Sequence, residues 1–344
     1  MAPNVLVTGG AGYIGSHVCK RLAAAGYCPV VFDNLSRGHR DFVRWGPIEV
    51  GDIADEASVM RALRRHRPIA VIHFAGLTYV GESVSDPLLY YGNNVVGSWS
   101  LLRAMRRCGV ATLVFSSSCA TYAPTDSTII AEDTPQQPSN PYGSTKLMIE
   151  RMIADCCSAY GLRWCALRYF NACGADPDGA VGERHDPETH LVPRLLMAAA
   201  GELPSIEIFG TDYRTPDGTC IRDYIHVDDL ARAHVQALAY LLGGGAPAAF
   251  NLGTGIGHSV LEVVATAERV TGRPVQLRLS RRRPGDAERL VADPRRAELV
   301  LGFRTRWSLE AAIRTAWNWH LVETGRPAGA MVRIPAPSAV EIRP

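Results

Sequence analysis

Lysine is almost absent from this chain. Of its 36 basic residues only Lys20 and Lys146 are lysine, and the rest are arginine. A lysine retained against that bias is a candidate for work that a planar guanidinium does poorly. A charge imbalance is missing as well: Lys+Arg is 36 and Asp+Glu is 34, a formal net charge of +2. That leaves no long-range field to draw nucleic acid or a membrane surface, and neither is expected as a partner. No apolar run approaches the roughly 18 residues of a membrane span. The N-terminus, Met1-Ala2-Pro3-Asn4-Val5, has no basic region followed by an apolar stretch and cleavage site, so no secretory leader is expected. The 9 cysteines include no CxxC pair, and the adjacent Cys156 and Cys157 are poorly placed to share a metal. Scattered thiols of odd number fit small buried hydrophobes in a reducing cytoplasm, and no metal site is expected. Internal repeats are also lacking.

What is present is ordinary for a globular protein able to bury a core: 47% hydrophobic and 20% charged residues in a 344-residue chain. The length suggests one large domain with a smaller lobe, or two domains. The pattern reads as strands at Asn4–Val7, Pro29–Phe32, Ile48–Val50, Pro68–His73 and Thr112–Phe115. Helical stretches separate them; Ile14, Val18 and Leu22 recur at helical spacing until Gly26. Alternation of this kind predicts a parallel sheet with helices on both faces. It loosens after residue 172. Residues 173–222 are rich in Gly, Pro, Asp and Thr, which suggests loops and short elements. Ser259–Thr271 and Trp307–Leu321 read as helices, and the proline-rich segment from Gly325 is expected to lack fixed structure.

Gly9, Gly12 and Gly15 lie between the first strand and its helix, in a GxxGxxG spacing. Glycine there permits a tight turn and close approach of a pyrophosphate, which the helix N-terminus attracts. Asp33 ends the second strand, where a carboxylate binds an adenosine ribose and repels a 2′-phosphate. The two features together predict NAD rather than NADP. The domain plan that follows is a dinucleotide-binding domain over residues 1–172, a mainly substrate-binding lobe over 173–330 with the chain free to cross back, and a tail over 331–344.

Tyr142-Gly143-Ser144-Thr145-Lys146 carries the strongest chemical signal. Residues four apart share a helix face. A lysine ammonium and a cationic nicotinamide near a phenol would favour the phenolate, giving a base that works near neutral pH. Ser116-Ser117-Ser118 ends the strand before it. A hydroxyl there can hold a reacting sugar oxygen in line with the tyrosine, and Ser118 is the expected one.

The GxxGxxG spacing resembles the short-chain dehydrogenase/reductase superfamily. Longer blocks narrow the likeness: GGAGYIGSH (Gly9–His17), FAGLTYVGES (Phe74–Ser83), NPYGSTK (Asn140–Lys146), LRYFNACGADP (Leu167–Pro177), FGTDYRTPDGTCIRDYIHVDDLA (Phe209–Ala231) and RRPGD (Arg282–Asp286). From about Val5 to His320 the chain resembles the UDP-glucose 4-epimerase (UDP-galactose 4-epimerase) family. The resemblance implies an α/β fold: a Rossmann-type doubly wound parallel sheet with a smaller mixed α/β lobe that binds substrate. It implies a cytoplasmic, homodimeric, NAD-dependent isomerase that oxidises the sugar at C4 and reduces the 4-keto sugar on its other face. Cofactor contacts would come from Gly9, Gly12, Tyr13, Ile14, Gly15, Asp33, Asn34, Asp52, Ile53, Phe74, Ala75, Gly76, Asn94, Ser116, Tyr142, Lys146 and Phe170. Asn94 would steady a central strand. The UDP-sugar would meet Ser118, Tyr142, Asn171, His190, Leu191, Arg222, Tyr224, Arg283, Asp286 and Leu290, with the two arginines on the diphosphate.

Four positions depart from the family's pattern. Thr78 replaces a cofactor-contacting lysine, Cys119-Ala120-Thr121 follows Ser118 in place of Ala-Thr-Val, His190 replaces an asparagine, and Leu290 is intermediate in size where the pocket is narrowed or widened. The serine–cysteine variant also occurs in UDP-arabinose/UDP-xylose 4-epimerases, and N-acetylhexosamine substrates remain open. A nucleotide-sugar 4,6-dehydratase would need an Asp-Glu pair where Cys119-Ala120 stands. A net NAD-dependent dehydrogenase is opposed only by the epimerase-specific blocks. A non-catalytic NAD-binding protein would tend to lose the Tyr–Lys pair.

Overall fold

The computed structural model describes residues 2–123, 129–283, 286–326, 331–335 and 337. Seven parallel strands form the main sheet: β1 (Asn4–Thr8), β2 (Cys28–Asp33), β3 (Ile48–Val50), β4 (Ala70–His73), β5 (Thr112–Ser118), β6 (Arg163–Tyr169) and β10 (Ala248–Leu252). Their order is β10-β6-β5-β4-β1-β2-β3. The chain reverses its direction of travel between β1 and β4, and there a crevice opens beyond the carboxyl ends of the strands. β4 and β5 are buried along their whole length. Strands covered on both faces read as continuous apolar runs, which is why they are visible in the sequence.

Each face of the sheet has its own core. On one, α1 (Tyr13–Ala24), α8 (Val227–Leu242) and α10 (Arg295–Leu301) supply Val18, Leu22, Leu230, Leu238 and Leu301. On the other, α2 (Glu56–His66), α5 (Gly97–Cys108) and α6 (Pro141–Tyr160) supply Val59, Leu63, Leu101, Met105 and Ile149. The short helices α3 (Val80–Ser85) and α4 (Pro87–Tyr90) lead into α5 through a π-helical segment, Tyr91–Val96.

A second sheet lies beyond. β9 (Ile221–His226) runs parallel to β7 (Asn171–Cys173) and β13 (Arg289–Leu290) and antiparallel to β11 (Gly257–Ser259). The helices α7 (Leu191–Ala199), α9 (Val260–Thr271) and α11 (Leu309–Glu323) and the pair β8 (Ile206–Phe209) and β12 (Leu277–Ser280) share a third core around Leu195, Ile208, Val264 and Trp317. The chain crosses back after β9, because α8 and β10 complete the first layer. Residues 173–222, loop-like in composition, hold α7 and β8. Beyond Gly325, Val332 exchanges both of its main-chain hydrogen bonds with the Asn318 side-chain amide, each at 2.9 Å. The expectation of a segment without fixed structure therefore fails at that point: an amide side chain on α11 satisfies both main-chain groups. Of the expected tail, residues 336 and 338–344 lie outside the described residues. All nine cysteines are free thiols. Among the described residues no helix is long and apolar enough to cross a membrane.

Candidate active site

Gly9, Gly12 and Gly15 lie where β1 passes into α1. Gly9 has φ +71°, and a Cβ there would sit 2.6 Å from the Ala75 nitrogen. A Cβ on Gly15 would run into the Gly9 carbonyl oxygen. Only glycine lets the turn, the helix and the loop after β4 meet this closely. The first turn of α1 carries no acidic residue and no side-chain cap. Its N–H groups and positive dipole end suit a pyrophosphate. Tyr13 begins α1, but its phenol is committed to the Gly174 carbonyl at 2.6 Å. Ile14 packs partly buried against the first core.

The Asp33 carboxylate is buried at the end of β2 and accepts from the Ala11 nitrogen at 3.0 Å and the Leu35 nitrogen at 2.8 Å. Burial raises its pKa against those two bonds. Asn34 donates to Asp52 at 3.0 Å, so two of the expected cofactor residues touch, and Ile53 next in sequence is buried. Phe74 and Ala75 hang from the Thr8 carbonyl at 2.9 and 3.1 Å, while the Phe74 ring leans on His234 of α8, 4.7 Å between centroids. The phenyl group therefore serves the core, and the main chain of Phe74–Gly76 is left to form the crevice floor. This combination of glycine cradle, uncapped helix end and buried carboxylate fits NAD.

Asn94 lies on the π-helical segment, a geometry often found at functional sites. Its amide brackets Leu77, accepting from the nitrogen at 2.7 Å and donating to the carbonyl at 3.0 Å, and donates to Thr145 at 3.0 Å. It was expected to steady a strand; it instead locks the loop after β4 onto α6, because the strand ends at His73. Asn140 caps α6 by accepting from the Gly143 nitrogen at 2.9 Å, with Pro141 at its first position.

That cap sets the phase of Tyr142 and Lys146, one turn apart and both buried. Lys146 donates to the Ser116 carbonyl at 2.9 Å, and its Nζ stands 5.9 Å from the centre of the Tyr142 ring. Burial lowers the lysine to about 8, with Glu150 opposing. Burial pushes the Tyr142 phenol above the ordinary tyrosine value, neighbouring Tyr169 adds to this, and a hydrogen bond with Ser118 opposes it. Among the protein's own groups desolvation governs, and the phenol is held in its protonated form. Strand alternation separates the serines. Ser117 turns to Glu150 at 2.5 Å. Ser116 meets the Tyr169 hydroxyl at 2.8 Å, and Ser118 faces Tyr142 while accepting from the Ala120 nitrogen at 3.1 Å.

On the opposite wall β9 alternates as well, placing Arg222 and Tyr224 on one face. Arg222 donates to the Asp286 carboxylate at 2.6 Å and to its neighbour's carbonyl, Ile221, at 2.8 Å. The expected diphosphate arginine and the expected uridine carboxylate are thus partners, one 11% and the other 28% exposed at the side chain. Arg283 stacks 3.9 Å over Phe209, and Pro284 and Gly285 lie outside the described residues. Tyr224 packs in the third core beside Cys173. Asn171 donates to the Asp223 carbonyl at 3.2 Å. Phe170 and Leu290 share a small apolar cluster with Tyr122, Ile130, Ala292 and Cys119. Burial pushes the Cys119 thiol up to about 12, so it packs rather than reacts. Leu191 opens α7 directly after His190.

Three groups go beyond the residues read from the sequence, although the last of them takes in the expected His190. Tyr169 lies against the Tyr142 site. A buried ion pair joins Arg168 to Glu150 at 2.6 Å, with Tyr122 and Ser117 attached. Glu183, His185, Glu188 and His190 converge in one cluster. Burial opposes charge there, yet Glu183 and Glu188 raise His185 to about 9, and the two imidazoles hold Glu183 near 2. The signal for this last group is its ExHxxExH spacing, which brings two glutamates and two histidines within eight residues.

The profile of the NAD dependent epimerase/dehydratase family matches residues 5–253. The chain belongs to that family. Among curated proteins it is 52% identical, over 92% of its length and 97% of the other, to the UDP-glucose 4-epimerase of Rhizobium meliloti. The crystal structure of UDP-glucose 4-epimerase from Brucella ovis in complex with NAD superposes with a TM-score of 0.90 at 56% identity, covering 92% of this chain and 98% of that one. The Stenotrophomonas maltophila UDP-glucose 4-epimerase with bound NAD and formylated UDP-arabinopyranose gives 0.91 at 41% identity, covering 94% and 99%.

Proposed function

We propose that the protein is an NAD-dependent UDP-glucose 4-epimerase that interconverts UDP-galactose and UDP-glucose. The observation that carries the reading is the meeting of Tyr142, Lys146 and Ser118 at the end of β5, across the crevice from the glycine loop and Asp33. NAD, when bound, supplies the group that takes hydride from C4 of the sugar and returns it to the other face of the transient 4-keto sugar. Tyr142 takes the proton of the 4-hydroxyl and gives it back. Ser118, bonded to Tyr142, orients that hydroxyl. Lys146, fixed by the Ser116 carbonyl, carries positive charge to the edge of the phenol and draws its pKa down from the value burial imposes. Arg222 exchanges part of its contact with Asp286 for the diphosphate, and Arg283, Asn171 and Tyr224 line the nucleotide's path.

The assembly we propose is a homodimer through the face carrying α4, α5 and α6. Leu88, Val96, Trp99 and Met148 expose 79%, 49%, 47% and 42% of their surface there. Isolated apolar side chains on a surface are common, but a contiguous set on neighbouring helices marks an interface. Nine free thiols suit a reducing cytoplasm.

The test is the purified protein with UDP-galactose and no added NAD, products being separated by anion exchange. Conversion to UDP-glucose without net NADH is expected, because the reaction is redox-neutral and the cofactor is regenerated in place. A parallel run with UDP-xylose ranks the pentose against the hexose. Accumulation of NADH, or no conversion with NAD supplied, would end the reading.

A further inference from the structure

We propose that Glu183, His185, Glu188 and His190 form a site for a divalent transition-metal ion of the zinc class. The proposal does not depend on the reaction assigned above. One ligand atom from each of the four residues lies within 4.8 Å of the other three. His185 Nδ1 stands 3.3 Å from Glu183 Oε1 and 3.5 Å from Glu188 Oε2. His190 Nδ1 contacts the same Glu183 oxygen and stands 3.9 Å from Glu188 Oε1. Ligand bonds of about 2.0–2.2 Å in a tetrahedron give ligand–ligand edges of about 3.3–3.6 Å. The two edges from His185 already have that length, the His190–Glu183 contact is shorter and would open around an ion, and His190 would draw in from 3.9 Å to complete the set.

A second observation separates this group from an ordinary ion pair. His185 Nδ1 is buried and makes no hydrogen bond of acceptable geometry, although it lies between two carboxylates. A nitrogen held between two carboxylate oxygens by charge, with no well-directed hydrogen bond to either, is placed to share a central ion with them. The carboxylates are scarcely exposed, 6% for Glu183 and 8% for Glu188 at the side chain. Glu188 Oε1 accepts from the Thr189 nitrogen at 2.7 Å and the His190 nitrogen at 2.8 Å, which fixes the carboxylate and leaves Oε2 to ligate. A dication balances the two carboxylates with both imidazoles neutral, the form in which they ligate.

The location gives the ion a structural task. His185 packs edge-on to Tyr13 at 6.2 Å and Tyr79 at 5.9 Å, and His190 immediately precedes α7. Tyr13 is the first residue of α1, at the glycine loop. Metal bound here ties the start of the cofactor helix to the start of the lobe's first helix. Four protein ligands leave no open position for chemistry, as in structural zinc sites.

The test uses the full-length protein, stripped with a strong chelator and titrated with zinc against a chromophoric competitor, with metal content read by mass spectrometry. About one equivalent per chain is expected, with a rise in Tm on loading. His185→Gln and the more exposed His190→Asn should each weaken zinc binding at least about 10-fold, with circular dichroism unchanged. Cobalt should give the intense visible bands of a tetrahedral site in the wild type and not in His190→Asn, a readout independent of stability. Failure to retain zinc above the competitor, or equal affinity in the wild type and His190→Asn, would overturn the proposal and leave a proton-neutralised ion-pair cluster.

Discussion

The two walls of the crevice treat buried polarity in opposite ways. On the α6 wall, Lys146 and Tyr142 are buried without a counter-charge of their own. The lysine meets a main-chain carbonyl, and the carboxylate one turn further on, Glu150, is bound to Arg168. On the β9 wall, charges are matched: Arg222 pairs with Asp286. Desolvation shifts proton affinities, which suits the first wall to the proton transfer proposed above. Compensation keeps the charged forms in place and fixes geometry, which on the reading proposed above suits the second wall to hold an anionic ligand by exchange of partners. Tyr142 and Lys146 are one turn apart on one helix, yet their shifts run in opposite directions. Burial disfavours the charged form of each, and their charges have opposite sign.

The largest expected effect is on acidification. His73, His226 and His234 are held neutral by burial, down to about 3, 3 and 4. In the unfolded chain each takes a proton near 6.5. Between those values the unfolded state binds more protons, so stability falls as pH drops from about 6.5 toward 4, by about 1.4 kcal/mol per pH unit for each histidine. Urea melts at pH 7, 6 and 5 measure the slope. A flat profile would mean that desolvation is not the governing term at these buried histidines.

Next comes the base. Tyr142→Phe should lower kcat about 10²–10⁴-fold while the protein keeps NAD. Lys146→Ala should weaken both turnover and cofactor retention. Near-wild-type turnover in Tyr142→Phe would remove proton transfer from this wall. Glu150→Gln, which strands Arg168 in the core, should cost about 3–5 kcal/mol in a denaturant melt. A loss under about 1 kcal/mol, the range of an exposed pair, would show that water reaches it.

The smallest effect belongs to the matched wall. Arg222→Lys removes a forked donor, so KM for the UDP-sugar should rise about 10–100-fold with kcat little changed. Asp286→Asn should move KM less, since it frees the guanidinium while losing one orienting group. Equal effects on kcat would place Arg222 at the reacting centre and blur the distinction.

Much of this was legible beforehand, and for local reasons. Gly9 and Gly15 are dictated by contacts within a few residues and with the adjacent strand. The helical phase of Tyr142 and Lys146 follows from their spacing and from the Asn140 cap. β4 and β5 were visible because both faces are covered. Asn94 was readable as important but not in its task, since its partners Leu77 and Thr145 come from two other segments. Tyr169 and the Arg168–Glu150 pair gave no pattern, because alternation along β6 does not say which side chain reaches α6. Prolines mark the tail as irregular, and composition cannot reveal the two bonds that Val332 makes to Asn318.

By itself the sequence determined the glycine turn, the strand–helix alternation and the candidate base and lysine. All three follow from backbone sterics and spacing along one segment. The tertiary structure alone decided the ionisation of Tyr142 and Lys146, the pairing of Arg222 with Asp286, and the gathering of Glu183, His185, Glu188 and His190 into one cluster. Burial and ion pairing depend on what packs against a side chain from elsewhere in the fold, and neither quantity is written in the order of the residues.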